Sequence, residues 1–377
     1  MGINEQIKNS SLEILFQPVA LGNLKLPNRI VMAPMTRGFS PNGVPGADVA
    51  GYYRRRAENQ VGLIITEGTL INHPAAEQGL GKPDFYGEAA LNGWSKVVES
   101  VHKAGGKIIP QLWHVGMARQ INGENSNPDV LPIGPSGIDV ISGEKVTEAM
   151  SLLEIEQIIQ AFGEAASDAK RLGFDGLEIH GAHGYLIDQF FWEKTNQRKD
   201  KYGGNMMARS QFAVEIVRAC REAVGPDFPI VFRYSQWKSG NYNVKLAETP
   251  ERLAAFLAPL VEAGVDIFHC STRRYWEPEF AGSSLNLAGW TKKITGKPTI
   301  TVGSVGLDST FTEFFTEGKG GKTTSLTPLI ERLKHQEFDL VAVGRALLAD
   351  PAWATKTAQN RTNKLIPFEL GAEKTLS

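Results

Sequence analysis

The stretch GLEIHGAHGYLIDQFF, residues 176–191, is an apolar run that leads into two histidines and a tyrosine separated by glycines. Its first part has the length and composition of a buried β-strand. Gly181 and Gly184 allow a tight turn, so that His183 and Tyr185 face the same space as His180. The stretch therefore predicts a strand that brings polar side chains to one end of a sheet.

Seven further runs of this kind alternate with stretches of helical period along almost the whole chain. Several are apolar at consecutive positions, which is typical of parallel strands covered on both faces. Eight βα units predict an α/β fold, the TIM (β/α)8 barrel. The eight runs are RIVMAPM from Arg29, VGLIITEG from Val61, KIIPQLWH from Lys107, GLEIHGA from Gly176, PIVFRYS from Pro229, DIFHCST from Asp266, PTITVGSV from Pro298 and DLVAVGRAL from Asp339.

The stretches between the strands carry helix signals of their own. Ser151 and Glu154 make a capping box, and the apolar stripe after them predicts a helix that ends at about Leu172. Thr249 followed by Pro250 is typical of a helix start, because threonine caps the first turn and proline is tolerated there.

A TIM barrel needs about 250 residues, so the surplus in this chain of 377 residues must lie in loops. The segment before Arg29 predicts a hairpin, around VALGNLKLP, that closes the barrel floor. Residues 115–150 follow the third strand, are rich in Gly, Pro, Asn and Ser, and are typical of an active-site lid. No repeat or linker divides the sequence, which predicts one domain over residues 1–377.

The composition excludes several classes of partner. Lys and Arg number 40 against 41 Asp and Glu, so no positive excess favours nucleic acid, and we expect small-molecule partners. The amino-terminal segment has no basic stretch before an apolar core, and no apolar run reaches the roughly 18 residues of a membrane helix. These features predict a cytoplasmic protein without a membrane contact. Cys220 and Cys270 are too few for an iron–sulfur cluster or a four-cysteine zinc site.

Active sites of TIM barrels lie at the carboxyl ends of the strands, so polar residues there are the candidate site residues. The last two strands end in VGSVG and VGRAL. The backbone N–H groups of these turns and the arginine of the second suit a phosphate. Each turn alone could also be an ordinary βα connection. The candidates are Met35, Thr36 and Arg37 on strand one, Gln111 and His114 on strand three, His180 to Tyr185 on strand four, Arg233 on strand five, Gly303 and Ser304 on strand seven, and Gly344 and Arg345 on strand eight.

Gln111 and Arg233 are polar residues inside otherwise apolar strands. Burial of either side chain is costly unless it is hydrogen-bonded, so both need partners in the barrel mouth. One alternative is a carboxylate of the protein, such as Glu67 or Glu178. The other is a bound polar heterocycle with donors and acceptors along one edge.

His180, His183 and Tyr185 admit three interpretations. They could cap and pack the turn, or the imidazoles could share a zinc ion, for which no third ligand is evident. In the third interpretation, neutral imidazoles donate hydrogen bonds to an oxygen that gains negative charge, while Tyr185 donates a proton. We favour the third interpretation, and we interpret His114 as structural.

Taken in order, these segments resemble the old yellow enzyme family of FMN-dependent ene reductases. The matching segments are LPNRIVMAPMTR, IIPQLWHVG, HGAHGYLIDQFF, NQRKDKYGG, FRYS and VAVGRALLADP, and they span nearly the whole chain. A series in this order and spacing is far more specific than any one motif.

The resemblance implies a tightly but non-covalently bound FMN, with NADPH or NADH as the reductant. The implied cofactor-binding residues are Pro34, Met35 and Thr36 against the flavin, Gly68 beside the ring, Gln111 at the pyrimidine edge, Arg233 beside N1, and Gly303, Ser304, Gly344 and Arg345 around the phosphate.

The resemblance also implies a ping-pong reaction on activated alkenes. NAD(P)H reduces the flavin, and an α,β-unsaturated carbonyl or nitro compound then takes hydride from flavin N5 at its β carbon. His180 and His183 are expected to hold the carbonyl or nitro oxygen, and Tyr185 to protonate the α carbon. We expect a monomer or a homodimer, and the sequence does not distinguish the two. The alternative function is that of a barrel metal-dependent hydrolase using the strand-four histidines, which would bind zinc and lack colour.

The chain departs from the family pattern in three places. The segment after YGG is NMMAR, which keeps Arg209 but lacks the acidic residue and the amide that commonly precede this arginine in the family. The difference concerns a local structural contact rather than the site itself. Thr36 stands where another branch has cysteine, which places the chain in the threonine branch. The carboxyl-terminal tail offers no tyrosine for the pocket, and we expect Tyr275 and Trp276, after strand six, to line it instead.

Overall fold

The eight apolar runs form eight parallel strands that close into a barrel in the computed structural model, which describes residues 12–377. The strands follow the chain order round the barrel, and the last pairs with the first through Val341 and Ile30. This confirms the predicted TIM barrel. The barrel strands are β3 (Ile30–Met32), β4 (Leu63–Leu70), β5 (Ile108–Trp113), β6 (Leu177–His183), β7 (Ile230–Lys238), β8 (Ile267–Ser271), β9 (Thr299–Val302) and β10 (Leu340–Val343).

A hairpin before the first barrel strand closes the barrel floor, as predicted. Its strands are β1 (Val19–Leu21) and β2 (Leu24–Leu26), which pair in antiparallel fashion. The leucines of both strands join the apolar cluster that fills the barrel interior, together with Ile65 and Ile300. The opposite end of the barrel is thereby left as the open mouth.

Helices surround the barrel, and their caps agree with the sequence signals. Ser151 Oγ accepts the Glu154 N–H at 3.2 Å, and the helix that they start ends at Arg171. Thr249 caps the helix that begins at Pro250. The α-helices are α1 (Ala47–Glu58), α2 (Glu88–Lys103), α3 (Leu152–Arg171), α4 (Leu186–Phe191), α5 (Met206–Val224), α6 (Pro250–Ala263), α7 (Leu287–Thr295), α8 (Phe311–Glu317), α9 (Thr327–Lys334), α10 (Arg345–Ala349) and α11 (Trp353–Ala358). Short 3-10 helices lie at Glu13–Phe16, Pro41–Gly43, Gly116–Ala118, Thr362–Lys364 and Ala372–Lys374.

Strand β7 extends beyond its predicted end at Ser235 to Lys238. The extra residues run beside the end of β6, where the register shifts between Gly181 and His183 and then pairs His183 with Lys238. The extension therefore borders the turn that carries the candidate catalytic residues.

None of the helices within residues 12–377 combines the length and apolar character needed to cross a membrane. The prediction drawn from the amino-terminal segment rests partly on residues 1–11, which lie outside the described residues.

Candidate active site

One cavity of about 740 Å³ opens at the carboxyl ends of the barrel strands. It brings together every residue that the sequence singled out as catalytic or cofactor-binding, from seven of the eight strand ends. The residues that it brings together are Pro34, Met35, Thr36, Gly68, Gln111, His180, His183, Tyr185, Arg233, Gly303, Ser304, Gly344 and Arg345.

The turn after β6 depends on two backbone positions in the left-handed region. His183 has φ 65° and Gly184 has φ 80°, a conformation that glycine adopts readily and histidine rarely. A side chain of α4 stabilises the turn, because Asp188 Oδ2 accepts the Gly184 N–H at 2.7 Å. Ser235 Oγ accepts the His183 N–H at 3.0 Å from the side of β7. These contacts fix the two backbone conformations on which the position of Tyr185 depends.

The turn places the three rings of the candidate site close together. The His180 ring lies 5.1 Å from the His183 ring and 5.2 Å from the Tyr185 ring, centroid to centroid. The Trp113 ring packs edge-on against Tyr185 at 5.0 Å. On the other side, the Trp237 ring stacks on His183 at 4.6 Å. Both tryptophans restrict the rotation of the groups between them.

The cavity holds both imidazoles in the uncharged form. Burial lowers the pKa of His180 and of His183 well below the ordinary value of 6.5, and the positive charge of Arg233 lowers it further. His180 Nδ1 accepts the Ala182 N–H at 3.3 Å, which leaves the proton of the neutral ring on Nε2. His183 Nε2 lies 2.7 Å from Ser271 Oγ.

Tyr185 keeps its phenolic proton at neutral pH. Burial raises the pKa of Tyr185 to about 12, against the opposing effect of the Arg233 charge, and the nearby phenol of Tyr242 also raises it. A protonated phenol beside two neutral N–H donors can hold an oxygen that gains negative charge and can supply a proton to a neighbouring carbon.

The Gln111 side chain has a carboxylate partner in the barrel interior. The partner is Glu178, one of the two carboxylates that the sequence suggested. Gln111 Nε2 donates to Glu178 Oε1 at 2.7 Å, and Glu178 Oε2 lies 2.6 Å from His269 Nδ1. The whole row is buried, and Gln111 also lines the cavity. Glu178 therefore orients the Gln111 amide, whose oxygen and second N–H are left to a bound molecule. His269 was not among the site residues expected from the sequence, because it lies inside β8 rather than at its end.

Arg233 carries a buried donor that is available to a bound molecule. Its Nε has no hydrogen-bond partner within the described residues, and its Nη2 reaches Ser271 Oγ only at 3.5 Å. A buried unpaired N–H costs about 1–3 kcal/mol, so the cavity suits a ligand with an acceptor at this point.

Gly68 is required by a close approach of two neighbouring strands. A Cβ at this position would lie 2.6 Å from Cε3 of Trp113, a distance that real Cβ atoms do not show. The absence of a side chain at Gly68 leaves room for the Trp113 indole, which packs edge-on against Tyr185.

The far end of the cavity has the features of an anion site. Arg345 Nη1 donates to Ser309 Oγ at 3.1 Å, which holds the guanidinium in place. Ser304 has φ 51°, and its hydroxyl donates to the Ser309 carbonyl at 2.9 Å. The turns after β9 and β10 therefore form one rigid wall with a fixed positive charge.

Two of the predicted pocket residues lie elsewhere. Tyr275 lies in the loop after β8 and is buried, and its N–H donates to the Gly303 carbonyl at 3.1 Å. Trp276 lies at the surface with 37% of its area exposed. Neither lines the cavity, so this prediction is wrong. The chain turns inward earlier, and Thr272 and Arg273 line the cavity instead.

The other segments named in the sequence analysis support the site from outside. His114 does not line the cavity, and its Nε2 lies 3.0 Å from His73 Nδ1. Arg209 joins α5 to the end of α4, because its Nε donates to the Phe191 carbonyl at 2.8 Å. No described residue of 115–150 lines the cavity, so the lid role of this segment stays a prediction.

The described residues contain no group of three or more His, Cys, Asp or Glu side chains arranged to hold a metal ion. Cys220 and Cys270 are separate buried thiols. The geometry therefore does not favour the metal-dependent hydrolase that the strand-four histidines left open.

Comparison with protein families matches residues 14–364 to the model of the NADH:flavin oxidoreductase / NADH oxidase family. The chain belongs to this family. The NADH:flavin oxidoreductase / NADH oxidase family is the old yellow enzyme family that the motifs predicted. Membership places the chain among flavin oxidoreductases, with FMN as cofactor.

Relatives in the NADH:flavin oxidoreductase / NADH oxidase family include NADH oxidase of Thermoanaerobacter brockii. It is 35% identical over 360 residues, which cover 93% of this chain and 52% of the relative. 12-Oxophytodienoate reductase 7 of Oryza sativa subsp. japonica is 38% identical over 226 residues, 56% of each chain. The chain thus spans about half the length of these relatives.

Among solved structures, morphinone reductase in complex with tetrahydroNAD is similar to this chain. The TM-score is 0.76 at 29% sequence identity, and the match covers 92% of this chain and 90% of that one. The similarity thus extends over the barrel and its surrounding helices.

Proposed function

We propose that the protein reduces the carbon–carbon double bond of α,β-unsaturated carbonyl or nitro compounds, with NAD(P)H as the source of electrons. The observation that carries the proposal is the convergence of two neutral imidazoles and one protonated phenol on a single cavity wall. Two of the similar proteins are named as reductases, which supports the proposal.

His180 and His183 bind the carbonyl or nitro oxygen of the substrate. Addition of hydride at the β carbon moves negative charge onto this oxygen, and hydrogen bonds to it strengthen as the charge develops. Neutral imidazoles suit this role, because each donates an N–H without a charge that would repel Arg233. Tyr185 supplies the proton to the α carbon, and Trp113 keeps its ring in position.

FMN supplies the hydride when it is bound. The Arg233 donor without a partner fits the acceptors of the flavin pyrimidine edge, and the Gln111 amide, held by Glu178, faces the same cavity. The residues that would hold FMN are Pro34, Met35, Thr36 and Gly68 at the ring, Gln111 and Arg233 at the pyrimidine edge, and Gly303, Ser304, Gly344 and Arg345 at the phosphate.

Two half-reactions measured separately without oxygen test the assignment of Tyr185. In Tyr185→Phe, we expect NADPH to bleach the flavin band at the wild-type rate, because flavin reduction needs no proton from the phenol. Reoxidation by 2-cyclohexenone should slow about 10²-fold or more, as expected for loss of a general acid.

Tyr202→Phe is the matched control, because this phenol donates to Glu215 at 2.7 Å and lies outside the cavity. It should leave both half-reactions unchanged. Wild-type rates of both half-reactions in Tyr185→Phe would refute the proton-donor assignment. A purified protein that lacks a flavin band and cannot be reconstituted with FMN would refute the proposed function as a whole.

A further inference from the structure

Four arginines line the cavity, and three of them donate to oxygens of the protein. Arg37, Arg233 and Arg345 donate to Thr375, Ser271 and Thr310 respectively. Within residues 12–377, the side chain of Arg273 makes no hydrogen bond and no ion pair. Its guanidinium is therefore open to a ligand of opposite charge.

The neighbours of Arg273 place its side chain on the substrate side of the cavity. Ser304 Oγ lies 3.0 Å from the Arg273 carbonyl oxygen, and the Arg273 guanidinium carbon lies 5.7 Å from the centre of the Tyr242 ring. Tyr242 lies 5.5 Å from the Trp237 ring, which in turn stacks on His183. A row of aromatic contacts thus connects Arg273 to the histidine that binds the substrate oxygen.

The charges of the cavity also favour an anionic ligand. Glu373 is the one Asp or Glu among the described lining residues, and its carboxylate accepts the Gly371 N–H at 2.9 Å. Arg345 lies in the anion site at the far end, and Arg233 is assigned to the flavin edge. The four arginine charges exceed the combined charge of Glu373 and one FMN phosphate, the latter about −2 at neutral pH. Among these arginines, Arg273 is the one whose side chain has no hydrogen bond within the described residues.

We propose that Arg273 binds an anionic group, a carboxylate or a phosphate, on the molecule that occupies the cavity beside the flavin. The inference rests on the proposed function, because it concerns the ligand of the same cavity. The anion has two possible sources, a carboxylate on the alkene substrate or a phosphate of the nicotinamide nucleotide. A guanidinium suits both, because its fork of N–H donors matches two oxygens of either group.

The test compares Arg273→Gln with Arg274→Gln in the FMN-loaded enzyme. Arg274 is the matched control, because it pairs with Glu277 at 3.0 Å and does not line the cavity. The substrates are a cyclohexenone that carries a pentanoate side chain and its neutral methyl ester. The reductants are NADPH and NADH.

We expect Arg273→Gln to raise KM for at least one anionic ligand about 10- to 100-fold, as expected for loss of a charge-assisted hydrogen bond. KM for the methyl ester should stay unchanged, and Arg274→Gln should change none of the values. A rise for the carboxylate alone assigns the anion to the substrate. A rise for NADPH alone assigns it to the 2′-phosphate, and a rise for both nucleotides assigns it to the pyrophosphate.

Unchanged KM values for all these ligands would overturn the inference. Loss of FMN from Arg273→Gln would also overturn it, because Arg273 would then belong to the cofactor site. Failure of the wild-type enzyme to reduce the methyl ester or 2-cyclohexenone is a separate result, which would count against the proposed function itself.

Discussion

His180 and His183 stay uncharged across the neutral pH range. The pKa of each ring is lowered by burial and then by Arg233, so the charged form appears only well below pH 6.5. A lowered pKa keeps the neutral, hydrogen-bonding form populated as the pH falls through 6.5.

We therefore expect kcat/KM for 2-cyclohexenone, measured from about pH 6 to about pH 8, to show no ionisation near pH 6.5. His180→Asn, which keeps an N–H donor but cannot ionise, should give a profile of the same shape. A rise centred near pH 6.5 that disappears in this variant would contradict the neutral-donor assignment.

At the scale of single residues, the sequence located polar side chains on the barrel strands and at their carboxyl ends. His180, Arg233 and Arg345 share one cavity because parallel strands that close into a barrel end at one rim. Arg273 was missed and Tyr275 was wrongly expected in the cavity. Both follow the end of β8, where the direction of a side chain depends on the path of the loop rather than on strand alternation.

At the scale of elements, the end of β7 and the start of α4 are joined by a fully buried ion pair. Lys238 Nζ lies 2.5 Å from Asp188 Oδ1, and neither side chain has exposed area. Asp188 Oδ2 also accepts the Gly184 N–H, so the pair supports the turn before Tyr185.

Asp188→Asn should lower the free energy of unfolding by about 3–5 kcal/mol, because it leaves the Lys238 charge buried without a partner. Urea unfolding measures the change. Asp168→Asn, which removes one partner of the exposed pair with Arg171, is the control and should cost at most about 1 kcal/mol. Equal effects of the two substitutions would show that the buried pair does not stabilise this turn.

The same pair explains a limit of sequence analysis at this scale. The eight strands were predictable because their residues are apolar at consecutive positions, and α3 because its caps are local signals. The extension of β7 through Lys238 was not predictable, because Gln, Trp and Lys do not form a strand pattern. The extension depends on a carboxylate fifty positions away in the chain, at Asp188.

At the scale of the whole molecule, the two ends of the barrel have separate roles. The mouth holds the cavity with the unpaired Nε donor of Arg233, whereas the floor is an apolar plug made by β1 and β2. The floor was predictable from the excess length before Arg29. The lid role of residues 115–150 stays a prediction. This segment contains buried residues of its own, such as Met117 and Val140, and the sequence does not show against what they pack.

The separation of the two ends predicts that damage to the floor lowers stability without altering the reaction. Leu24 is 2% exposed within the barrel cluster, so Leu24→Ala should lower the free energy of unfolding by about 2–5 kcal/mol, measured by urea unfolding. The exposed Lys25→Ala is the control on the same strand and should stay within about 0.5 kcal/mol of the wild type. FMN content and KM for 2-cyclohexenone should match the wild type in both variants, because neither residue lines the cavity. A changed KM in Leu24→Ala would mean that packing at the floor is transmitted through the barrel to the strand ends, and the two ends would then have to be treated as one coupled unit.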